Sequence, residues 1–146
     1  QLGGPPLPAL AMPKTDTTLS GRVLLVEDGE DNQRLISYFL RHVGLTVDLV
    51  RNGQEAIDTI SRDATYDVIV MDMQMPVLDG YAAATRLREM GCAIPIVALT
   101  AHAMDGDREK CINAGCTEYA TKPVDRHALI GIVTRLIESR SRRMSA

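Results

Sequence analysis

Tryptophan is absent from this sequence, and its aromatic residues amount to one phenylalanine and four tyrosines. So thin a supply excludes the aromatic platforms on which single-stranded nucleic acids stack. A charge bias is missing too. The 16 Lys and Arg residues nearly balance 19 Asp and Glu, so nothing draws the segment strongly to nucleic acid or to an anionic membrane, and neither is expected as a partner. Cys92, Cys111 and Cys116 are odd in number and lack a C-x-x-C spacing. They read as small apolar residues in a reducing compartment, not as a disulfide framework or a zinc site. No apolar run approaches the ~20 residues of a membrane span, and no basic stretch followed by an apolar one opens the chain as a secretory signal would. These absences point to a cytoplasmic segment, whether or not the parent protein is membrane-anchored. The chain begins at Gln1 without an initiating methionine and reads as a segment of a longer protein.

What is present suits one α/β domain. Residues 1–20 carry Gly3, Gly4, Pro5, Pro6, Pro8 and Pro13, which break any periodicity and read as a linker following another domain. Arg22–Val26 is a short apolar strand that closes on Glu27 and Asp28. Leu35, Ile36, Phe39, Leu40 and Val43 then form a stripe at helical period, ended by Gly44. Leu45–Val50 alternates like a half-exposed edge strand. Asn52 caps a second helix, Glu55 completes a capping box, and Ala56, Ile57 and Ile60 give its buried face. Asp67–Met71 is a strand apolar on both faces that ends abruptly on Asp72.

Asp79 caps the third helix, with Ala82, Ala83, Leu87 and Met90 inward, and Ile94–Leu99 is a fourth strand ending on Thr100. A more polar helix over Ala103–Asn113 is closed by Gly115, and Thr117–Ala120 is a fifth strand leading to Thr121, Lys122 and Pro123. Asp125 caps the last helix, which carries Leu129, Ile130, Val133, Leu136 and Ile137 on one face. The domain thus spans 21–140, and residues 141–146 read as a disordered basic tail. Five β-α units imply a doubly wound parallel sheet with helices on both faces.

In such a sheet the carboxyl ends of the strands face one crevice, where ligands bind. Those ends carry Glu27, Asp28, Asp72, Thr100 and Lys122. Three carboxylates together need a cation, and an all-oxygen donor set suits Mg²⁺, with Mn²⁺ as a substitute. Asp72 is then a nucleophile that accepts a phosphoryl group as an acyl phosphate, while Lys122 and Thr100 hold the other phosphoryl oxygens.

The stretches Val26–Glu27–Asp28, Met71–Asp72–Met73–Gln74–Met75–Pro76 with Asp79–Gly80, Leu99–Thr100–Ala101 and Lys122–Pro123 together resemble a response-regulator receiver domain of two-component signalling. The resemblance implies a flavodoxin-like fold of strand order 2-1-3-4-5. It implies that Asp72 is the phosphoacceptor and that Glu27 and Asp28 hold Mg²⁺, with Asp28 the direct ligand and the backbone carbonyl of Gln74 completing the site. Tyr119 matches the aromatic whose rotamer follows Thr100, and Lys122–Pro123 matches a cis peptide bond. The partners implied are a histidine kinase core or a histidine phosphotransfer protein, and such a domain catalyses its own phosphorylation and dephosphorylation. The Met73–Gln74–Met75–Pro76 wording and the stretch Ala103–Arg108 are most similar to receivers of hybrid sensor histidine kinases, so the parent reads as a histidine kinase. Too little of this segment follows the last helix for a DNA-binding output domain, so direct transcription control by the segment itself is not expected.

One departure is visible: Gly29 stands where the family usually has a polar residue, which should loosen the first loop. His102, at the mouth of the site, and Gln74 are expected to modulate the life of the acyl phosphate, whereas His42 and His127 read as surface residues. Two rivals are weaker. A haloacid-dehalogenase-like phosphohydrolase wants a second carboxylate two residues after the nucleophile, where this chain has Gln74. A flavodoxin-like nucleotide binder needs a phosphate-cradling loop after the first strand, where Glu27–Asp28–Gly29–Glu30–Asp31 repels phosphate instead.

Overall fold

A computed structural model describes residues 19–101 and 105–145 of the chain. The elements alternate as β1 (Arg22–Val26), α1 (Glu30–His42), β2 (Thr46–Val50), α2 (Gly53–Arg62), β3 (Val68–Asp72), α3 (Gly80–Glu89), β4 (Ile96–Thr100), α4 (Asp105–Ala114), β5 (Glu118–Thr121) and α5 (Arg126–Ser145). The strands form one parallel sheet in the order β2-β1-β3-β4-β5, which is the 2-1-3-4-5 arrangement expected. Leu19, where the described chain begins, is already buried, and its amide donates to the Val43 carbonyl.

Alternation along the strands builds two cores. Leu24, Val26, Ile69, Met71, Ile96 and Ala98 face α2, α3 and α4, packing on Ala56, Ile57, Ile60, Ala83, Leu87 and Cys111. Val23, Leu25, Val68, Val70, Val97 and Leu99 face the other way, onto Ile36 and Leu40 of α1 and Leu129 and Val133 of α5. The central strands β3 and β4 are buried at every residue, which is why they read as unbroken apolar runs. Cys111 and Cys116 are buried free thiols within the first core, and burial, the largest cause, pushes the Cys116 thiol up to about 12.

Local chemistry sets the element ends. The Asn52 side chain accepts from Glu55 N, and Asp79 accepts from Ala82 N. Glu55 reaches back to the amide of Arg51, one residue before the Asn52 amide that a capping box would engage. Gly44, with φ 103°, follows the C-cap of α1. β4 starts at Ile96, after Pro95, which has no N–H to give a ladder but whose carbonyl accepts from Ile69 N.

Three readings of the sequence are corrected. Leu35, expected on the buried stripe of α1, is 42% exposed. The sheet-facing stripe is Gln33, Ile36, Ser37 and Leu40, because the helix turns ~100° per residue and its phase is set by Ile36 and Leu40. Met90 likewise falls outside its core. α5 continues to Ser145, through a stretch expected to be a disordered tail, since no Gly or Pro follows Gly131 to stop it. Most of the linker over 1–20, and the expected start of α4 at Ala103, lie outside the described residues.

Candidate functional site

β1, β3, β4 and β5 end side by side, so the residues that close them are neighbours in space although far apart in sequence. Asp72 is the last residue of β3 and only 2% exposed. Its two oxygens are held differently. Oδ1 accepts from the backbone amide of Gln74 at 3.0 Å, and Oδ2 lies 3.1 Å from Lys122 Nζ. Gly80 lets α3 begin against this strand end: a Cβ there would sit 2.5 Å from the Asp72 carbonyl oxygen, so the Asp79–Gly80 pair supplies a cap and then a close approach.

Glu27 follows β1 and is buried, at 1% exposure. Oε2 accepts from Gly29 N at 3.0 Å. Oε1 lies 3.5 Å from Lys122 Nζ but has no hydrogen-bond partner among the described residues. Burial drives the Glu27 carboxyl above its ordinary range and the charge of Asp72 adds to this, against the Gly29 amide and the Lys122 ammonium. For Lys122, burial pulls downward, but hydrogen bonding and attraction to Asp72, followed by Glu27, carry it above the usual value, so it stays an ammonium. Asp28 is exposed, yet it brings a carboxylate oxygen to within 4.8 Å of those of Glu27 and Asp72.

Among the described residues, three carboxylates therefore face a single ammonium. A buried carboxylate oxygen without a donor, in a set made only of oxygens, is the environment a hard divalent cation fits. Glu27, Asp28 and Asp72 are the residues that would hold it.

The other expected members fall as follows. Thr100 ends β4, 1% exposed, paired in register with Thr121. Tyr119, opposite Ala98 on β5, is half-buried and packs against the first core. Lys122–Pro123 is cis. Gln74 is exposed, and its amide is the donor to Asp72. His102 lies outside the described residues, and His42 and His127 are exposed on helices. Gly29 is the N-cap of α1 at φ −88°, with no side-chain cap.

Gln33 is not among the residues the sequence singles out. Its side chain is 8% exposed, and Nε2 donates to the Glu27 carbonyl at 2.7 Å. The signal was a polar residue at i, i+3, i+4, i+7 spacing with Ile36, Ser37 and Leu40.

The sequence model of the response regulator receiver domain matches residues 23–134. The chain is 38% identical over 124 residues to hybrid signal transduction histidine kinase I of Dictyostelium discoideum, covering 80% of this chain but 7% of that kinase. It is 36% identical over 113 residues to two-component response regulator 24 of Arabidopsis thaliana, covering 77% of this chain and 81% of that protein. It therefore spans a small part of the kinase relative and most of the plant regulator.

Among solved structures, the receiver domain of sensor histidine kinase PA1611 from Pseudomonas aeruginosa PAO1 is 44% identical with a TM-score of 0.75, over 82% of this chain and 99% of that one, and holds a magnesium ion in its active site cleft. The receiver domain of Ssk1 from Saccharomyces cerevisiae, crystallised with the histidine phosphotransfer protein Ypd1, is 37% identical with a TM-score of 0.75, over 79% of this chain and 87% of that one. No helix among the described residues is long and apolar enough to cross a membrane. Five parallel strands in this order, acidic residues gathered at their carboxyl edge and a family match across 23–134 lead to one conclusion: the chain belongs to the response regulator receiver domains of two-component signalling.

Proposed function

We propose that this receiver takes a phosphoryl group from a phosphohistidine, on a histidine kinase core or a histidine phosphotransfer protein, onto Asp72. The observation that carries the reading is the state of Asp72: a buried carboxylate at a strand end, within reach of an ammonium on one oxygen and a backbone amide on the other. Fixing Oδ1 on Gln74 N aims the group, and the rigid strand beneath removes most of its freedom. An Asp72 oxygen attacks phosphorus while the P–N bond to the donor imidazole breaks. The bonding pair stays on the ring nitrogen, and the phosphoryl group remains as a mixed anhydride with Asp72.

Lys122 loses its partner as Asp72 is acylated and pairs with a phosphoryl oxygen, and the Thr100 hydroxyl donates to another. Asp28, Asp72, Glu27 and the Gln74 carbonyl are the groups that would hold Mg²⁺ (Mn²⁺ in its place), which supplies neutralising charge to the phosphoryl oxygens when bound. Thr100 and Tyr119 would pass the change to the surface of α4, β5 and α5. Gln74 and His102 would set how fast water removes the phosphoryl group. The kinase relative and the Pro-rich stretch ahead of the domain support placing it in a hybrid sensor histidine kinase.

Incubation with Mg²⁺ and acetyl phosphate tests this, with the label read by mass spectrometry on intact protein. One phosphoryl group per chain is expected, lost in Asp72→Asn. Unchanged labelling of that variant would overturn the assignment, and multiple turnover of a substrate would favour the hydrolase.

A further inference from the structure

We infer that Gln33 is a positioning residue of the acidic cluster, fixing the peptide that joins Glu27 to Asp28. This rests on the metal reading of the site given above.

The first loop is tethered differently from those that lead into α2, α3 and α5. α2, α3 and α5 each start under a capping side chain, from Asn52, Asp79 and Asp125. α1 starts at Gly29, which has none to give. Yet this loop carries two of the three clustered carboxylates. Its conformation is set instead by three hydrogen bonds centred on Glu27. The Glu27 amide donates to the Val50 carbonyl at 3.0 Å, its Oε2 accepts from Gly29 N at 3.0 Å, and its carbonyl accepts from Gln33 Nε2 at 2.7 Å.

Of these three, the last alone has another residue's side chain gripping the loop. It is buried, so water does not compete for it. Only the amide nitrogen of Gln33 can serve a carbonyl acceptor, so the chemistry fixes which way the side chain points. The carbonyl it holds belongs to the peptide plane leading into Asp28. Rotation of that plane swings the Asp28 side chain relative to Glu27 and Asp72. Gln33 is anchored in turn by the first intrahelical bond of α1, from its own amide to the Gly29 carbonyl at 2.9 Å. Helix α1 and the acidic pair thus move as one unit, and a residue that touches no ligand sets the spacing of the ligand oxygens, as groups one step behind a metal's ligands do.

The test is direct Mg²⁺ binding to the unphosphorylated chain by isothermal titration calorimetry. Gln33→Met keeps length and bulk but removes the donor, and is expected to raise the Mg²⁺ dissociation constant about tenfold. Ser37→Ala, one turn further along the same buried face, removes a polar group without touching the loop and is expected to leave affinity unchanged. If Gln33→Met does not fold, Gln33→Asn, one methylene too short for the Glu27 carbonyl, is expected to show the same weakening. Equal affinity in the parent and a folded Gln33 variant, with only thermal stability reduced, would overturn the role of Gln33 and leave the metal site standing. A parent that takes up no Mg²⁺ would overturn the metal site and this role with it.

Discussion

At the amino-terminal edge of the sheet Arg22 is surrounded by acceptors. Its guanidinium pairs with Asp48 at 2.8 Å and Asp63 at 3.1 Å, bonds Thr65, and lies 4.3 Å over the Tyr66 ring. The Tyr66 hydroxyl donates to Asp48 at 2.7 Å, the Arg22 amide donates to Asp67, and Arg140 of α5 reaches the Tyr66 carbonyl. At the carboxyl edge Glu27 and Asp72 share Lys122, Asp28 lies beside them, and one Glu27 oxygen is buried without a hydrogen bond from the described residues. Both clusters draw side chains from distant segments. The first edge also has more carboxylates than cations, but Asp48 and Asp63 are nearly half exposed to water and hydrogen-bonded to Arg22, Tyr66 and Thr65, so the cluster ties the fold together. The other edge buries Glu27 and Asp72, a negative excess among the described residues of the kind a bound cation answers. Where a protein leaves buried charge uncompensated, function is the first place to look for the reason.

The largest expected contrast is chemical. Asp72→Asn abolishes phosphoryl labelling, whereas Tyr66→Phe, at the other edge, labels at the parent rate. A Tyr66→Phe protein that folds but fails to label would show the two edges to be coupled. Next comes metal linkage. Mg²⁺ at about a hundredfold over its dissociation constant stabilises the parent by about 2.7 kcal/mol, read as a shift in the urea midpoint. Asp28→Asn removes that shift, and a full shift in the variant would take Asp28 out of the metal site. Smaller again, Tyr66→Phe costs about 1 kcal/mol of stability through its lost hydrogen bond, with Mg²⁺ affinity unchanged.

The smallest effect is the pH dependence that the amino-terminal edge contributes. The Tyr66 hydroxyl first, then Arg22, hold the Asp48 carboxyl below its ordinary 3.8. The folded state therefore binds that proton less readily than the unfolded chain. Asp48 stabilises fully above pH 3.8, and the benefit fades as pH falls through the depressed folded value. Burial, then Asp48, raise the Tyr66 hydroxyl to about 12 from 10.0. Its contribution is complete below 10.0 and is lost as pH climbs through about 12. Half exposure of Asp48 to solvent keeps the acid term small. Asp48→Asn should flatten the acid limb of a stability profile, and an unaltered limb would remove Asp48 as its source.

Much of this is legible in the sequence. Arg22–Val26 is bounded to the residue, because an apolar run that stops on two acids has one sensible edge. Asn52, Asp79 and Asp125 declare their caps, since a short polar side chain before a periodic run has a local purpose. Glu27, Asp28, Asp72, Thr100 and Lys122 can be collected from chain order alone, because a parallel sheet gathers its strand ends at one edge. Leu35 and Gln33 mislead together. Each fits a helical stripe in isolation, and only docking of Ile36 and Leu40 on the sheet decides which stripe turns inward. Arg22, at the head of a strand, gives no hint of its partners: Asp48 and Asp63 lie 26 and 41 residues away.

Periodicity, caps and motif order are therefore enough to specify the five β-α units, their parallel sheet and the residues at its carboxyl edge, because each is written in spacings of a few residues. The phase of α1, the grip of Gln33 on the Glu27 carbonyl, the closure of the Arg22 network and the stranding of one Glu27 oxygen belong to the tertiary structure alone. They depend on distances between segments that meet only when the cores close, and no local spacing encodes those.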